Sequence, residues 1–404
     1  MTRIRTVALC AATLIAVTLQ TTAGSGVGAA ASDRKRHACV SSPTHARGSA
    51  RQVLDVVKRA QKELHLRSVL FRVNVRGREV VTGALGESKT GVPAKPDMHF
   101  RSGSVGIAYM GTVLLQLVDE KKVRLDDPVS RWLPELPHAR QITLRMLGST
   151  TSGLHDYVTD PKFLAALYAN PYRKWTAKEL VGFSTGHPLW YKPGTNWSYS
   201  HANFVLLGAA LEKITGTRLD VLLRQRVMGP LGLRDTRNSY TPAIQAPVLH
   251  AYDAERGTYE ESTFWNPSWT TAPGAVLTSN ICDLARSAQA IGAGELLSRH
   301  AYKVQLSPGT IGLGKPTATC PATVCLPMTA ARHYGVAVIV LNGWIVQNPS
   351  FYGYAAIQAY LPAQKLSIAV STTLTRTSPG GNTAQVVASR IAHALAPRHP
   401  LAAG

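Results

Sequence analysis

Apolar positions along this chain change period twice. "SVLFRVNVRG" and "REVVTGALGE" read as two strands joined by a turn at Arg76-Gly77, after a helix from about Ala50 to Leu64. From Ile107 onward the spacing becomes helical, with Met110, Val113, Leu114, Leu117 and Val118 on one face. "ANFVLLGAALEKITG" is a second amphipathic helix, ended by Gly216. Between about 106 and 250 strand signals are few. They return after "GELLS" as "YGVAVIVLNG", "YGYAAIQAYLP" and "KLSIAVSTTL", and a last helix is expected from about Thr383 to Leu395. Strand-rich ends around a helical middle require distant segments to build one sheet. The expectation is an α+β domain with a helical insertion, or two tightly packed lobes.

The N-terminus stands apart from that pattern. Arg3 and Arg5 precede an apolar run from Val7 to Leu19 and small residues ending at Ala31, the three-part layout of a secretory signal peptide over 1–31. The run is short for a membrane-spanning helix, so an uncleaved anchor is the weaker alternative. Residues 32–49 are polar and basic and read as a linker, 50–396 as the folded domain, and 397–404 as a tail. Within the domain the expected α/β lobe takes 50–105 and about 260–396, and the helical lobe about 106–259.

Charge narrows the partners. The net charge is +21, and loss of Arg3 and Arg5 leaves +19. Such a surplus favours anionic partners, which for an exported protein means envelope polymers or lipid head groups. No basic repeat interleaved with aromatics supports nucleic-acid binding.

Cys10 would leave with the signal segment, while Cys39, Cys282, Cys320 and Cys325 remain, an even set that suggests disulfides in an exported chain. Cys320 and Cys325, in "CPATVC", are the expected pair; Cys39 and Cys282 pair only if the fold brings them together. No spacing resembles a zinc site, so neither metal nor cofactor is expected. Gly309 to Lys315 imitates a phosphate-binding loop, but Pro316 stands where a Ser or Thr should hold Mg²⁺. His155-Asp156 after Ser152 imitates a catalytic triad, although adjacent side chains rarely converge on one serine. Trp265, Trp269 and Trp344 are expected to combine core packing with cleft lining.

"FRSGSVGIAYMGTVLLQLVDEKKVRLDDPVSRWLPELP" resembles the active-serine segment of the serine β-lactamase-like family: class C β-lactamases, D-alanyl-D-alanine carboxypeptidases and related esterases. "ITLRMLGSTTSGLHDY", "WYKPGTNWSYSHANFVLLGAALEKITG", "MGPLGLRDT" and "FWNPSWTTAPGAVLTSNICDLARSAQAI" continue the match in order. The resemblance covers about 50 to 395. It implies a β-lactamase/transpeptidase-like fold, with an antiparallel sheet flanked by helices and a mostly helical lobe.

Family chemistry rests on three motifs, and each departs here. Ser-x-x-Lys puts an amine one helical turn from the nucleophile. This chain has Ser104-Val105-Gly106-Ile107, where Ile107 can neither take a proton nor donate one, and Gly106 weakens the first turn. Tyr-x-Asn becomes Tyr199-Ser200-His201; Tyr199 is retained, and His201 is a conceivable base. The His/Lys-Thr/Ser-Gly triplet, expected on an edge strand, becomes Gln347-Asn348-Pro349, aligned through "NGWIVQNPSFYGY". Pro349 adds bulk, tolerated at an edge, and the backbone N–H of Ser350 remains available as an oxyanion donor beside that of Ser104. The family's "HTSGL" reads Thr150-Thr151-Ser152-Gly153-Leu154 and has lost its histidine.

Three altered motifs on a maintained scaffold imply a catalytically degenerate member that binds a peptidoglycan peptide or a small acyl or ester ligand. The rival is a residual esterase or peptidase using Ser104 with Tyr199 or His201. A third reading is a partner-binding role in which the cleft plays no part. Lys192 and Arg332 are examples of other cations whose approach to the cleft would bear on that choice.

Overall fold

The computed structural model describes residues 39–42 and 47–403. The expected signal segment and most of the expected linker lie outside them. Helix α1 (Gly48–Glu63) buries Val53, Val56, Val57 and Ala60, one stripe at helical spacing. Strands β1 (Leu66–Val75) and β2 (Arg78–Lys89) follow as a hairpin. Its two turn residues, Arg76 and Gly77, both have positive φ (52° and 75°), as the tightest hairpin turns require. β3 (Val92–Pro93) and β4 (Phe100–Arg101) lead into α2 (Val105–Asp119).

The middle of the chain holds α3 (Leu144–Ser149), α4 (Pro161–Ala169), α5 (Ala177–Thr185), α6 (His201–Thr215) and α7 (Leu219–Leu223). Three short strands, β5 (Arg237–Ser239), β6 (Tyr252–Asp253) and β7 (Glu260–Glu261), precede β8 (Val276–Ser279). Then come α8 (Ile281–Ala293) and α9 (Arg299–Leu306). The chain closes with β9 (Arg332–Tyr334), β10 (Ile339–Leu341), β11 (Trp344–Gln347), β12 (Ser350–Phe351), β13 (Tyr354–Leu361), β14 (Leu366–Leu374) and α10 (Thr383–Leu395).

The main sheet runs β3-β2-β1-β14-β13-β11-β10-β9, with β12 also on β13, and these pairings are antiparallel. Alternation assigns its faces: Val69, Phe71 and Val73 of β1 join Ile357, Ile368 and Val370 under α1 and α10. Leu70, Ala356 and Ala369 point to the opposite face and join the larger core, where α8 packs. The chain is therefore α+β, with an antiparallel sheet covered by helices on both faces.

Three expectations change. "YGVAVIVLNG" is not one strand; β9 and β10 are separate, and Gly335 donates to the Val338 carbonyl across a turn between them. Val336, Ala337 and Val338 in that turn are fully buried, so the apolar run reports insertion into the core rather than a strand. Helix α2 is buried nearly all round instead of along one stripe. Trp344 lies in the core beneath α1 and α10, across the sheet from the cleft, and donates its Nε1 to the His399 carbonyl.

Candidate functional site

Ser104 owes its position to two neighbours. β4 is hydrogen-bonded to β8, pairing Phe100 with Ser279 and Arg101 with Thr278, and the Ser102 amide donates to the Leu277 carbonyl at 3.0 Å. Gly103 then turns with φ 36°, and a side chain there would meet Phe351 Cε1 at 2.5 Å and Pro349 Cβ at 3.1 Å. The serine, half-buried at the N-cap of α2, thus lies next to the segment 347–351, where β11 gives way to β12. Gly106 has a reason beyond helix propensity: a Cβ there would lie 2.3 Å from the Ala275 carbonyl oxygen.

A cleft of about 360 Å³ opens in front of Ser104, and Tyr199, His201, Gln347, Asn348, Pro349 and Ser350 also line it. Trp197, Trp269, Tyr334 and Phe351 add aromatic wall, and Leu326 and Met328 enter from the segment after the Cys320–Cys325 disulfide. Asn196 ties that loop to the segment that carries Tyr199 into α6: its Oδ1 accepts from the Gly314 and Lys315 amides, and its Nδ2 donates to the Lys315 carbonyl. The stretch from Gly309 is thereby part of the cleft's support. Cys39 pairs with Cys282, at the start of α8.

The serine hydroxyl has no hydrogen-bond partner among the described residues, and so no Lys, Arg or His nitrogen within reach. Ile107, one turn on, is 0% exposed and belongs to the main core. Burial, with the Tyr334 phenol next to it, pushes the Tyr199 phenol well above its ordinary range, so it is neutral around pH 7. His201 opens α6. Its Nδ1 lies 3.0 Å from both carboxylate oxygens of Asp156, whose Oδ1 also accepts from the His201 backbone N–H at 3.1 Å. Its Nε2 is left without a partner among the described residues.

The pairing of Asp156 with His201 has no signal in the sequence. Asp156 is visible there only beside His155, as part of a false triad. In the structure those three residues part company. Ser152 donates to Asn203 Oδ1 at 2.6 Å, the His155 ring stacks on Trp190 at 3.7 Å, and Asp156 turns to His201. His333 also lines the cleft, but both its ring nitrogens face backbone carbonyls, of Thr329 and Leu306.

The polar groups of the altered triplet are turned into the scaffold. Gln347 donates its Nε2 to the Ala337 carbonyl at 2.6 Å, and Asn348 its Nδ2 to Gln385 Oε1 at 2.6 Å. The expected edge strand is not one over its whole length: β11 lies between β10 and β13, and β10 covers it as far as Val346. Beyond that point the segment's outer side faces the cleft. Phe351 and Tyr354 flank a two-residue turn, and the Ala356 amide donates to the Pro349 carbonyl at 2.8 Å. The intervening pair, Ser350 and Ala355, is therefore the non-hydrogen-bonded one, which aims the Ser350 N–H away from β13 and toward the cleft side. The Ser104 N–H likewise has no backbone acceptor among the described residues. Of the two cations singled out in the sequence, Arg332 lines the cleft and Lys192 does not. Among the described residues, no group of three or more His, Cys, Asp or Glu could hold a metal ion.

Comparison with known proteins places this geometry. The beta-lactamase family model matches residues 53–392. The chain is 32% identical over 219 residues to "Penicillin-binding protein 4" of Amycolatopsis lactamdurans, covering 52% of this chain and 54% of that protein. The match thus spans about half the relative's length. It is 32% identical over 164 residues to "Esterase EstB" of Burkholderia gladioli, covering 37% and 41% of the two chains. Among solved structures, a D-stereospecific amidohydrolase from Streptomyces sp. superposes with a TM-score of 0.68 at 26% identity, covering 88% of this chain and 99% of that one. D-amino acid amidase from Ochrobactrum anthropi SV3 gives 0.70 at 21% identity over 87% and 98%, a likeness of fold.

Proposed function

This chain belongs to the beta-lactamase family of penicillin-binding proteins and serine hydrolases, and from that premise we propose that it binds a peptide or acyl-amide ligand in the family's cleft without turning it over. One observation carries the reading: the Ser104 hydroxyl has no nitrogen within hydrogen-bond reach, and the position that should supply one holds the fully buried Ile107. A serine without a proton acceptor loses several orders of magnitude in acylation rate. The Ser104 and Ser350 N–H groups still offer a place for a ligand carbonyl oxygen. Action at the cell envelope is supported by two disulfides, which suit an oxidising compartment, and by the basic surface. Purified protein incubated with a fluorescent penicillin and with a fluorophosphonate is expected to yield no Ser104 adduct; a stable adduct on that residue overturns the reading.

The Asp156–His201 pair favours a second reading, a residual serine hydrolase. A carboxylate on Nδ1 fixes the imidazole tautomer and leaves Nε2 as the basic atom, which is how histidine serves as a base elsewhere. Esters, with better leaving groups than amides, suit so reduced an apparatus. Hydrolysis of p-nitrophenyl acetate that disappears in both Ser104→Ala and His201→Ala would favour it. Turnover that survives Ser104→Ala rules it out.

A further inference from the structure

Away from the cleft, the outer face of α1 and α10 carries a charge that the described residues do not neutralise. The two helices hold Arg51, Lys58, Arg59, Lys62 and Arg390 against two carboxylates, Asp55 and Glu63. Both carboxylates are engaged, Asp55 by Arg51 at 3.1 Å and Glu63 by Arg390. Lys58, Arg59 and Lys62 are exposed and have no carboxylate partner among the described residues. Arg47, at the N-cap of α1, and the exposed Arg398, just past α10, have none either. Elsewhere the surface is balanced. Around the end of α2, Glu120 meets Lys122 and Arg226, Asp126 meets Arg145, and Asp127 meets Arg131.

Lys58 and Lys62 stand one turn apart on α1, about 6 Å along its axis, where like charges repel. Arg59 lies beside them and turns toward α10, into a groove of about 670 Å³ shared with Gln52, Ser389, Arg390 and His393. The helices cover the sheet face that holds Trp344, so the row lies across the sheet from the cleft. Among the described residues the exposed large apolar side chains are Val40, Tyr172, Phe264 and Ile311, none of them on either helix. A helix that docks on a lipid surface sets apolar side chains among its charges. This face offers cations alone, which suits a polyanion that stays in water. Lysine point charges beside an arginine fork are the usual partners of phosphate oxygens.

We propose that the α1–α10 face docks a linear phosphodiester polymer, with Lys58, Arg59 and Lys62 meeting successive phosphates while the cleft beyond the sheet stays open. The inference rests on the cell-envelope reading above, adds the surface and the chemistry of the partner, and does not depend on what the cleft binds.

The test compares wild type with the triple variant Lys58→Gln/Arg59→Gln/Lys62→Gln. A control, Lys162→Gln/Lys174→Gln/Lys178→Gln, removes the same charge from α4, α5 and the segment between them. The probes are poly(glycerol phosphate), polygalacturonate and phosphatidylglycerol vesicles, titrated by calorimetry at salt concentrations from about 50 to about 200 mM. Poly(glycerol phosphate) should bind wild type and the control alike. It should bind the triple variant about tenfold more weakly, with a plot of log affinity against log salt that is flatter by about 2. If the triple variant and the control bind alike, net charge explains the binding; the site falls and the envelope reading stands. If polygalacturonate binds wild type as tightly as poly(glycerol phosphate), or if only the vesicles bind, the phosphodiester polymer falls and the envelope reading again stands. If no probe binds at the lowest salt, both fall. The substituted positions are all exposed, and the triple variant relieves a like-charge repulsion, so its urea midpoint should match or exceed that of wild type.

Discussion

Asn382 supplies the hydrogen bond that Pro349 cannot make. In the ladder between segment 347–351 and β13, residue 349 should donate its N–H to the Ala356 carbonyl, and proline has none. The Asn382 Nδ2 donates there instead, at 3.2 Å, while also reaching the carbonyls of Asn348 at 2.7 Å and Pro349 at 3.1 Å. Its Oδ1 caps α10 through the Gln385 amide at 2.8 Å. Pro349 is tolerated for this reason, not because it lies at a free edge. Asn382→Ala should therefore cost about 2–4 kcal/mol, a lost cap plus unsatisfied buried carbonyls. In a Pro349→Ala background the restored N–H should reduce that cost, and a double-mutant cycle by urea unfolding measures the coupling. Purely additive costs would contradict the substitution of one donor for the other.

Ile107, one helical turn after Ser104, is fully buried in the main core. Ile107→Ala should lose about 2–5 kcal/mol of stability and Ile107→Val about 1 kcal/mol, read as shifts in urea midpoint. Ile107→Lys buries an amine and should destabilise the fold by several kcal/mol. In its folded fraction, Ser104 should become labelled by a fluorophosphonate that leaves wild type untouched, as peptide mass spectrometry would show. A folded, unlabelled Ile107→Lys would mean that the missing amine is not what silences the serine.

Asp156 acts on His201 in two ways, as a carboxylate at the N-terminus of α6 and as the partner of Nδ1. Asp156→Ala should cost about 1–2 kcal/mol from the lost cap and helix-end charge. It should also free the imidazole to flip, visible as a change in the His201 ring resonances by NMR. Asp156→Asn should restore part of the stability, because an amide oxygen can still accept from the backbone N–H.

Asp283 links stability to pH. Burial raises its carboxyl from 3.8 to about 6, against the opposing hydrogen bonds from the Asp235 amide and the Thr236 hydroxyl. Because the folded value lies above the unfolded one, its contribution is fully present below about 3.8 and is lost as pH rises through about 6. Replacing it with asparagine should remove a stability change on the order of 3 kcal/mol across that window, measured by comparing urea midpoints at pH 4 and pH 7. An unchanged pH profile in Asp283→Asn would show that other groups carry it.

The two disulfides should differ in worth. Cys39–Cys282 closes a separation of 243 residues and Cys320–Cys325 one of 5. Chain entropy assigns them about 5 and about 2 kcal/mol respectively. Cys282→Ser should accordingly lower the melting temperature more than Cys325→Ser does. Met328 and Leu326, beside the short loop, make ligand affinity the more sensitive readout for the latter.

Elements with a local cause are legible in the letters. α10 falls on its expected span, Gly216 ends α6 in the left-handed conformation, and the Arg76-Gly77 turn joins β1 to β2. Each follows from residues within a few positions: apolar spacing, a cap, or a tolerated positive φ. The identities of Ile107, His201 and Pro349 are equally local, since an isoleucine's lack of a proton acceptor or a proline's lack of an N–H is visible in the letters. What those residues meet depends on how the elements pack. Asp156 and His201 are 45 positions apart, and Asn382 is 33 from Pro349. Arg332 faces the cleft while Trp344 faces away from it, and "YGVAV" turns inside the core instead of extending. Periodicity reports which face of an element is buried, but not what it is buried against. Hydrogen bonds and ion pairs depend on ångström-scale approach between elements, and that approach exists only once the sheet and its helices have packed.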